Sequence, residues 1–411
     1  MGTMNLTEWS VAIKAAAARI HGAVYRTPCP YSLSLSRLCG AEIFCKFEHL
    51  QMTGSFKERG ARNRLELMSA EERRRGVIAA SAGNHALGLA YHGQALGIPV
   101  TVVMPTNAPL VKITNCRGFA AETILFGESL DQARVRAREL AAQRGSIYVH
   151  GFDDPAIIAG QGTVGIEILE DVPNVDAVIV PVGGGGLIAG VGAAIKAVRP
   201  DVRIIGVESE RAPTLRESLK RSAVTSIASR PTLADGLAIS QVGEVCFALA
   251  REVVDEVVLV SESEIASSVL RLLELEKTVV EGSAAVTLAA LTSRRVDLTG
   301  KRVVLVLSGG NIDVTVLARI IERGLARDGR LCRVIAEISD RPGSLAQLLT
   351  LIATTGASIK EVTHDRSFGP ADVAMTGVMV VVETRDRAHI DELRTKLQAG
   401  GIACRIDAPT E

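Results

Sequence analysis

The chain has 411 residues, enough for two or three domains and a large buried core without disulfide staples. Its 46 Lys and Arg balance its 46 Asp and Glu, so no net field draws it to nucleic acid or to anionic lipid, and small neutral or zwitterionic partners fit better. Seven scattered cysteines (Cys29, Cys39, Cys45, Cys116, Cys246, Cys332, Cys404) form no C-x-x-C pair, and the odd count argues against a disulfide framework or a zinc site and for a reducing cytoplasm.

The N-terminus has no apolar h-region, and Leu6 stands where a myristoylation motif requires Ser or Thr, so neither an address nor an anchor is expected. An amphipathic helix is predicted over 7–22, followed by a strand through Ile43–Phe47. That strand delivers the chain to Thr53-Gly54-Ser55-Phe56-Lys57-Glu58-Arg59-Gly60, where Ser55 and Glu58 have the spacing of a capping box that starts a helix. Lys57 then falls in the first turn, where the positive end of the helix dipole favours loss of its proton and leaves a nucleophilic amine. Alone, such a segment is more often a solvated helix start.

Beyond it, apolar runs of strand length alternate with helical stretches long enough for parallel crossovers. The runs are Val77–Ala80, Val100–Met104, Thr123–Phe126, Ile147–Val149, Val178–Val180, Ile204–Val207, Val257–Val260 and Val303–Leu307. The pattern is α/β with parallel strands, and their number suggests two sheets. Ala177–Ile195 is uncharged and long enough to imitate a membrane span, but Pro181 and four glycines break it into a buried strand, a tight loop and a buried helix. After a polar, glycine-containing stretch at Gly324–Arg330 the style changes. Strands at 331–338, 357–366, 374–384 and 401–406 and helices at 343–355 and 386–398 give the ferredoxin-like order βαββαβ. The expected domains are therefore 1–328 and 329–411.

Three strand ends carry the groups for chemistry. Gly183, Gly184, Gly185 and Gly186 follow a strand ending at Val182 and precede a helix beginning near Leu187, so converging N–H groups and a helix N-terminus make a seat for phosphate. The same stretch, Gly184-x-Gly186-x-x-Ala189 with Glu208 about twenty residues on, also satisfies a dinucleotide fingerprint and leaves an NAD-binding oxidoreductase as the rival class, one with no role for Lys57. Ser81, Ala82, Gly83, Asn84 and His85 form a second turn suited to a carboxylate, and either Ser81 or Asn84 alone would serve as an ordinary N-cap. Ser308-Gly309-Gly310-Asn311 ends the last strand of the large region in the same way.

Together, Ser-Phe-Lys-Glu-Arg-Gly at 55–60, Ser-Ala-Gly-Asn-His at 81–85, the glycines at 183–186, Glu281-Gly282-Ser283-Ala284 and Ser308-Gly309-Gly310-Asn311 resemble the threonine dehydratases (threonine ammonia-lyases). These are pyridoxal 5'-phosphate (PLP) enzymes of the tryptophan-synthase-β fold, or fold type II. Residues 331–411, with Asp340-Arg341-Pro342-Gly343-Ser344-Leu345, resemble an ACT regulatory domain. The resemblance implies that Lys57 holds the cofactor as a Schiff base and serves as general base, and that Phe56 packs against its ring. Asn84 would bond the ring hydroxyl, Gly183 to Gly186 would cradle the phosphate, and Ser308 would face the pyridine nitrogen. Ser81, Ala82, Gly83, Asn84 and His85 would receive the substrate.

The implied activity is that of a carbon–nitrogen lyase converting L-threonine to 2-oxobutanoate and ammonia, and L-serine to pyruvate. An amino-acid effector at the ACT-like segment and a homodimer or homotetramer are also implied; by analogy with isoleucine biosynthesis, isoleucine would inhibit and valine oppose it. Serine racemases and hydroxyaspartate dehydratases share the fold. Racemases place a serine where this chain has Ala82, and some hold a divalent ion through an acidic residue where it has Thr214, so no metal is expected. Leu87 replaces a glutamine common in dehydratases, which blurs the preference among threonine, serine and 3-hydroxyaspartate. His49, His92 and His150 fit no ligand spacing and read as satisfied structural histidines.

Overall fold

The computed structural model describes residues 4–108, 110–366 and 372–408; Met1–Thr3, read above for an address signal, lie outside them. The first strands are β1 (Tyr31–Ser32) and β2 (Glu42–Lys46), then β3 (Val77–Ala80), β4 (Val100–Met104), β5 (Glu122–Leu125) and β6 (Ile147–Tyr148). Next come β7 (Ala177–Pro181), β8 (Arg203–Ser209), β9 (Glu256–Val260) and β10 (Arg302–Val306). The last four are β11 (Leu331–Ser339), β12 (Ser358–Asp365), β13 (Met375–Glu383) and β14 (Ala403–Asp407).

Two sheets build the larger unit, as the alternation predicts. One has the order β1-β2-β10-β7-β8-β9 and is parallel except for β1, which pairs antiparallel with β2. The other, β5-β4-β3-β6, is wholly parallel. Helices cover both faces of such sheets, which is why β4 and β7 are buried at every position and read as unbroken apolar runs. Strand β1, two residues long, carries no periodic signal and is absent from the sequence reading. The apparent membrane span divides into β7, the glycine loop and the helix Gly186–Lys196, and among the described residues no helix is long and apolar enough to cross a membrane.

The chain divides into compact units Met1–Ile312 and Asp313–Glu411. This division precedes the helix Val314–Arg327, whereas the sequence reading placed the break after it. Within the second unit the order βαββαβ is present, as an antiparallel sheet β12-β13-β11-β14. Residues of β11 and β13 alternate between a face covered by the helices Ser344–Ala353 and Arg387–Ala399 and a more open one.

In the larger unit the helix Pro155–Asp171 joins the parts that carry the three strand ends. Asp154 caps it, accepting from Ala156 N at 2.8 Å. Its glycines bring backbone against backbone: a Cβ on Gly160 would lie 2.6 Å from both Arg59 O and Gly60 Cα. A Cβ on Gly190, in the helix Gly186–Lys196, would lie 2.5 Å from Ile158 O and 2.7 Å from Gly162 N. Helix propensity alone favours Gly190→Ala by about 1 kcal/mol. Because the obstructing atoms are main chain and cannot rotate away, overpacking of about 3 kcal/mol outweighs that gain. Gly190→Ala is therefore expected to lower the melting temperature measured by calorimetry; an unchanged or raised value would contradict this packing.

Candidate active site

The segment before Lys57 is fixed by the end of β10. Ser55 pairs with Gly309, Phe56 N donates to Ser308 O at 3.1 Å, and Asn311 Nδ2 donates to Thr53 O at 2.7 Å. Gly54 has a φ of 77°, and any Cβ there would meet Asn311 Oδ1 at 2.7 Å, so only glycine suits the turn. The expected capping box does not form. The helix Lys57–Glu66 has Phe56 at its N-cap position with no side-chain cap, and Glu58 accepts instead from Thr53 N. Tertiary pairing of residues 53–56 with 308–311 takes precedence over the local motif.

Lys57 Nζ donates to Gly151 O at 2.7 Å and lies 5.1 Å from the centre of the Phe56 ring. Burial pushes its pKa down from 10.5 to about 8, with the Cys246 and Glu281 side chains pulling the other way. The first-turn position predicts a depression by the helix dipole, but loss of solvent is its principal cause.

The glycine loop lies one residue earlier than expected at both ends, with β7 stopping at Pro181 and the helix starting at Gly186. Gly185 has a φ of 93°. No side chain fits along the loop: a Cβ on Gly184 would overlap the Phe152 ring, and one on Gly183 would meet Gly236 O at 3.1 Å. What remains is a backbone-lined recess at a helix N-terminus, a fit for phosphate.

In the second turn neither Ser81 nor Asn84 is the N-cap. Gly83 occupies that position, Ser81 Oγ accepts from Gly83 N at 3.2 Å, and the helix Asn84–Leu96 begins with Asn84 itself. The Asn84 amide is instead held on both sides: its Nδ2 donates to Glu281 Oε1 and Oε2 at 3.0 and 3.1 Å, and its Oδ1 accepts from Asn311 Nδ2 at 2.9 Å. His85 is buried with Nε2 3.4 Å from Val149 O, and burial, reinforced by Lys57, lowers its pKa to about 3, so it is neutral near pH 7.

One cavity between the two sheets is lined by Phe56, Lys57, the turn from Ser81 to His85, the loop from Gly183 to Gly186, and Ser308. All the sequence-predicted site residues thus converge. Glu281, Gly151 and His150 line it too and were missed as site residues; only Glu281 stood in a quoted motif. His150 Nδ1 accepts from Asp153 N at 2.9 Å, and burial lowers its pKa to about 4. His49 Nε2 meets Thr278 Oγ1 at 2.6 Å, whereas neither ring nitrogen of His92 has a hydrogen-bond partner among the described residues, its nearest ionic neighbour being Glu58 Oε2 at 3.5 Å. His92 thus faces the buried Glu58 carboxylate at ion-pair distance without a hydrogen bond, which corrects the expectation that its ring is satisfied by hydrogen bonding.

Glu208 has a structural role in this fold. It is fully buried and caps the helix Thr214–Arg221, accepting from Thr214 Oγ1 at 3.0 Å, Leu215 N at 2.7 Å and Arg216 N at 3.0 Å. Leu87 is buried in the core behind the cavity rather than in its wall.

Residues 20–309 match the family model described as pyridoxal-phosphate dependent enzyme. The L-threonine ammonia-lyase of Thermotoga maritima is 46% identical over 394 residues, which are 96% of this chain and 98% of that protein. Among solved structures, the processed form of threonine deaminase isoform 2 from Solanum lycopersicum is similar with a TM-score of 0.74 at 36% identity, covering 78% of this chain and 95% of that one. Maize serine racemase has a TM-score of 0.73 at 33% identity, covering 77% and 97%.

The pKa of Lys57 has a measurable consequence for stability. Between about 8, its folded value, and 10.5, its ordinary one, the unfolded chain carries a proton that the folded chain lacks. Stability of the cofactor-free protein should therefore rise with pH through that window, and Lys57→Met should remove this contribution. Urea unfolding of both proteins across the window checks it; identical pH dependences would place the amine outside the buried environment described.

Proposed function

The chain belongs to the family of pyridoxal-phosphate-dependent enzymes, and from that premise we propose that it is a carbon–nitrogen lyase converting L-threonine to 2-oxobutanoate and ammonia. L-Serine, which lacks only the β-methyl group, would give pyruvate in the same cavity. The observation that carries this reading is the half-buried, desolvated lysine amine sharing one cavity with a side-chain-free glycine loop, in a chain similar over nearly its whole length to an L-threonine ammonia-lyase.

When bound, the cofactor supplies an electron sink for the pair left at Cα when its proton departs. The glycine loop, with the helix dipole behind it, suits the cofactor's phosphate, and Ser308 and Asn84 suit its ring. Asn84 is well placed to keep one orientation, because Glu281 and Asn311 hold both ends of its amide. Near neutral pH the buried amine of Lys57 can take up and return the Cα proton, and Gly151 O supports the charged form. The N–H groups of the Ser81–His85 turn suit the substrate carboxylate. Ala82, at the position where racemases place a serine, has no proton to give, which favours elimination over racemisation.

Lys57→Ala is expected to lower turnover of threonine by about 10³-fold or more, since anchor and base are lost together, and to remove the visible absorbance of the covalently held cofactor. Spectra and a 2-oxo acid assay across threonine, serine and 3-hydroxyaspartate test this. Retained turnover, or appreciable D-serine from the unaltered protein, would reject the assignment.

The unit Asp313–Glu411 is part of the same proposal, as an ACT-like regulatory domain for an amino-acid effector. Its βαββαβ order and the Asp340–Leu345 motif support this, and cytoplasmic residence as a homodimer or homotetramer completes the reading. A chain ending at Ile312 is expected to keep its elimination activity and cofactor spectrum but lose inhibition by isoleucine and its relief by valine, measured at subsaturating threonine. Equal inhibition of both chains would put the effector site in the first unit.

A further inference from the structure

The loop His150–Asp153 touches two parts of the cavity and one helix outside it. Gly151 O accepts from Lys57, and the Phe152 ring lies where any Cβ on Gly184 would fall. Asp153 turns away from the cavity toward the helix Glu244–Val253, whose N-cap position is Gly243 and which has no cap of its own. The Asp153 carboxylate supplies one from outside, accepting from Glu244 N at 3.0 Å, Val245 N at 2.9 Å and Cys246 N at 3.1 Å. Gly243 N in turn donates to Gly184 O at 3.1 Å, and the Cys246 thiol donates to Phe152 O at 3.3 Å.

A closed circuit results: Asp153 holds the helix, the helix start holds Gly184, and Gly184 rests on Phe152, the residue before Asp153. We infer that Asp153 is a positioning residue for the glycine loop, fixing the recess that receives the cofactor phosphate without touching cofactor or substrate. This rests on the PLP-enzyme reading given above. The next residue, Asp154, provides an internal contrast, because it caps its own helix, Pro155–Asp171, and pairs with Arg64 at 3.2 Å, with no hydrogen bond to the helix Glu244–Val253 or to the glycine loop among the described residues.

The test is the affinity of cofactor-free protein for pyridoxal phosphate, followed by absorbance, alongside thermal unfolding and kcat at saturating cofactor. Asp153→Ala is expected to weaken cofactor binding about tenfold, the factor a lost helix cap of ordinary strength would give if passed on to the loop, while kcat at saturation changes less than about threefold. Asp153→Asn should recover most but not all of that binding, since its amide oxygen still accepts from Val245 N and Cys246 N while its NH2 cannot accept from Glu244 N. Asp154→Ala should lower the melting temperature yet leave cofactor affinity unchanged. Unaltered affinity in a folded Asp153→Ala, or equal weakening by Asp154→Ala, overturns the inference. If Asp153→Ala does not fold, Gly243→Ala decides, because its Cβ would overlap the Asp153 carboxylate and force the clamp apart; normal affinity in that variant is equally fatal. A wild-type protein that fails to bind pyridoxal phosphate would instead refute the underlying enzyme assignment.

Discussion

A buried cluster of charges sets the position of the lysine. Arg59, two residues beyond Lys57 and 1% exposed, meets Glu48 at 2.7 and 2.8 Å and Glu167 at 2.7 and 2.8 Å, both through paired hydrogen bonds. Lys46, at the end of β2, meets Glu167 at 2.6 Å and Thr27 O at 2.6 Å. Burial favours the neutral acid at Glu48, but the adjacent Arg59 outweighs it and holds the carboxyl below its usual range. Removing one member leaves an uncompensated buried charge at a cost of about 3–5 kcal/mol. The cluster therefore leaves little freedom to the start of the helix Lys57–Glu66 relative to β2 and the helix Pro155–Asp171.

Glycines complete what the charges begin. At Gly160 and Gly190 the absence of a side chain lets main chains touch, so the helices that carry Lys57 and the glycine loop are both packed directly on Pro155–Asp171. A helix that meets its neighbours through backbone has few ways to shift, which suits a cavity whose parts come from three strand ends.

The electrostatics of the cavity follow from the same packing. Burial lowers the pKa values of Lys57, His85 and His150 together, so near neutral pH the two imidazoles are neutral while the amine lies close to its own titration point. Glu281 remains the nearby acid, and it orients Asn84 while favouring the charged form of Lys57.

The alternation of apolar runs and crossovers gave the two parallel sheets and the βαββαβ segment, because burial on both faces of a strand or on one leaves a periodic trace in composition. The residues lining the cavity were legible for a related reason: glycines and polar groups at strand ends stand out against apolar runs, and several such motifs in order carried the family resemblance. Local rules failed where distant segments intervene. The Ser55–Glu58 box is replaced by pairing with Ser308–Asn311, Gly83 displaces the expected caps, and the pKa of Lys57 reflects burial rather than its helix turn. The grip of Glu281 on Asn84 and of Asp153 on a helix that follows it by about ninety residues has no signature in spacing. Such contacts join segments far apart in the chain, so only the packing of the helix Pro155–Asp171 against both sheets' helices could decide them.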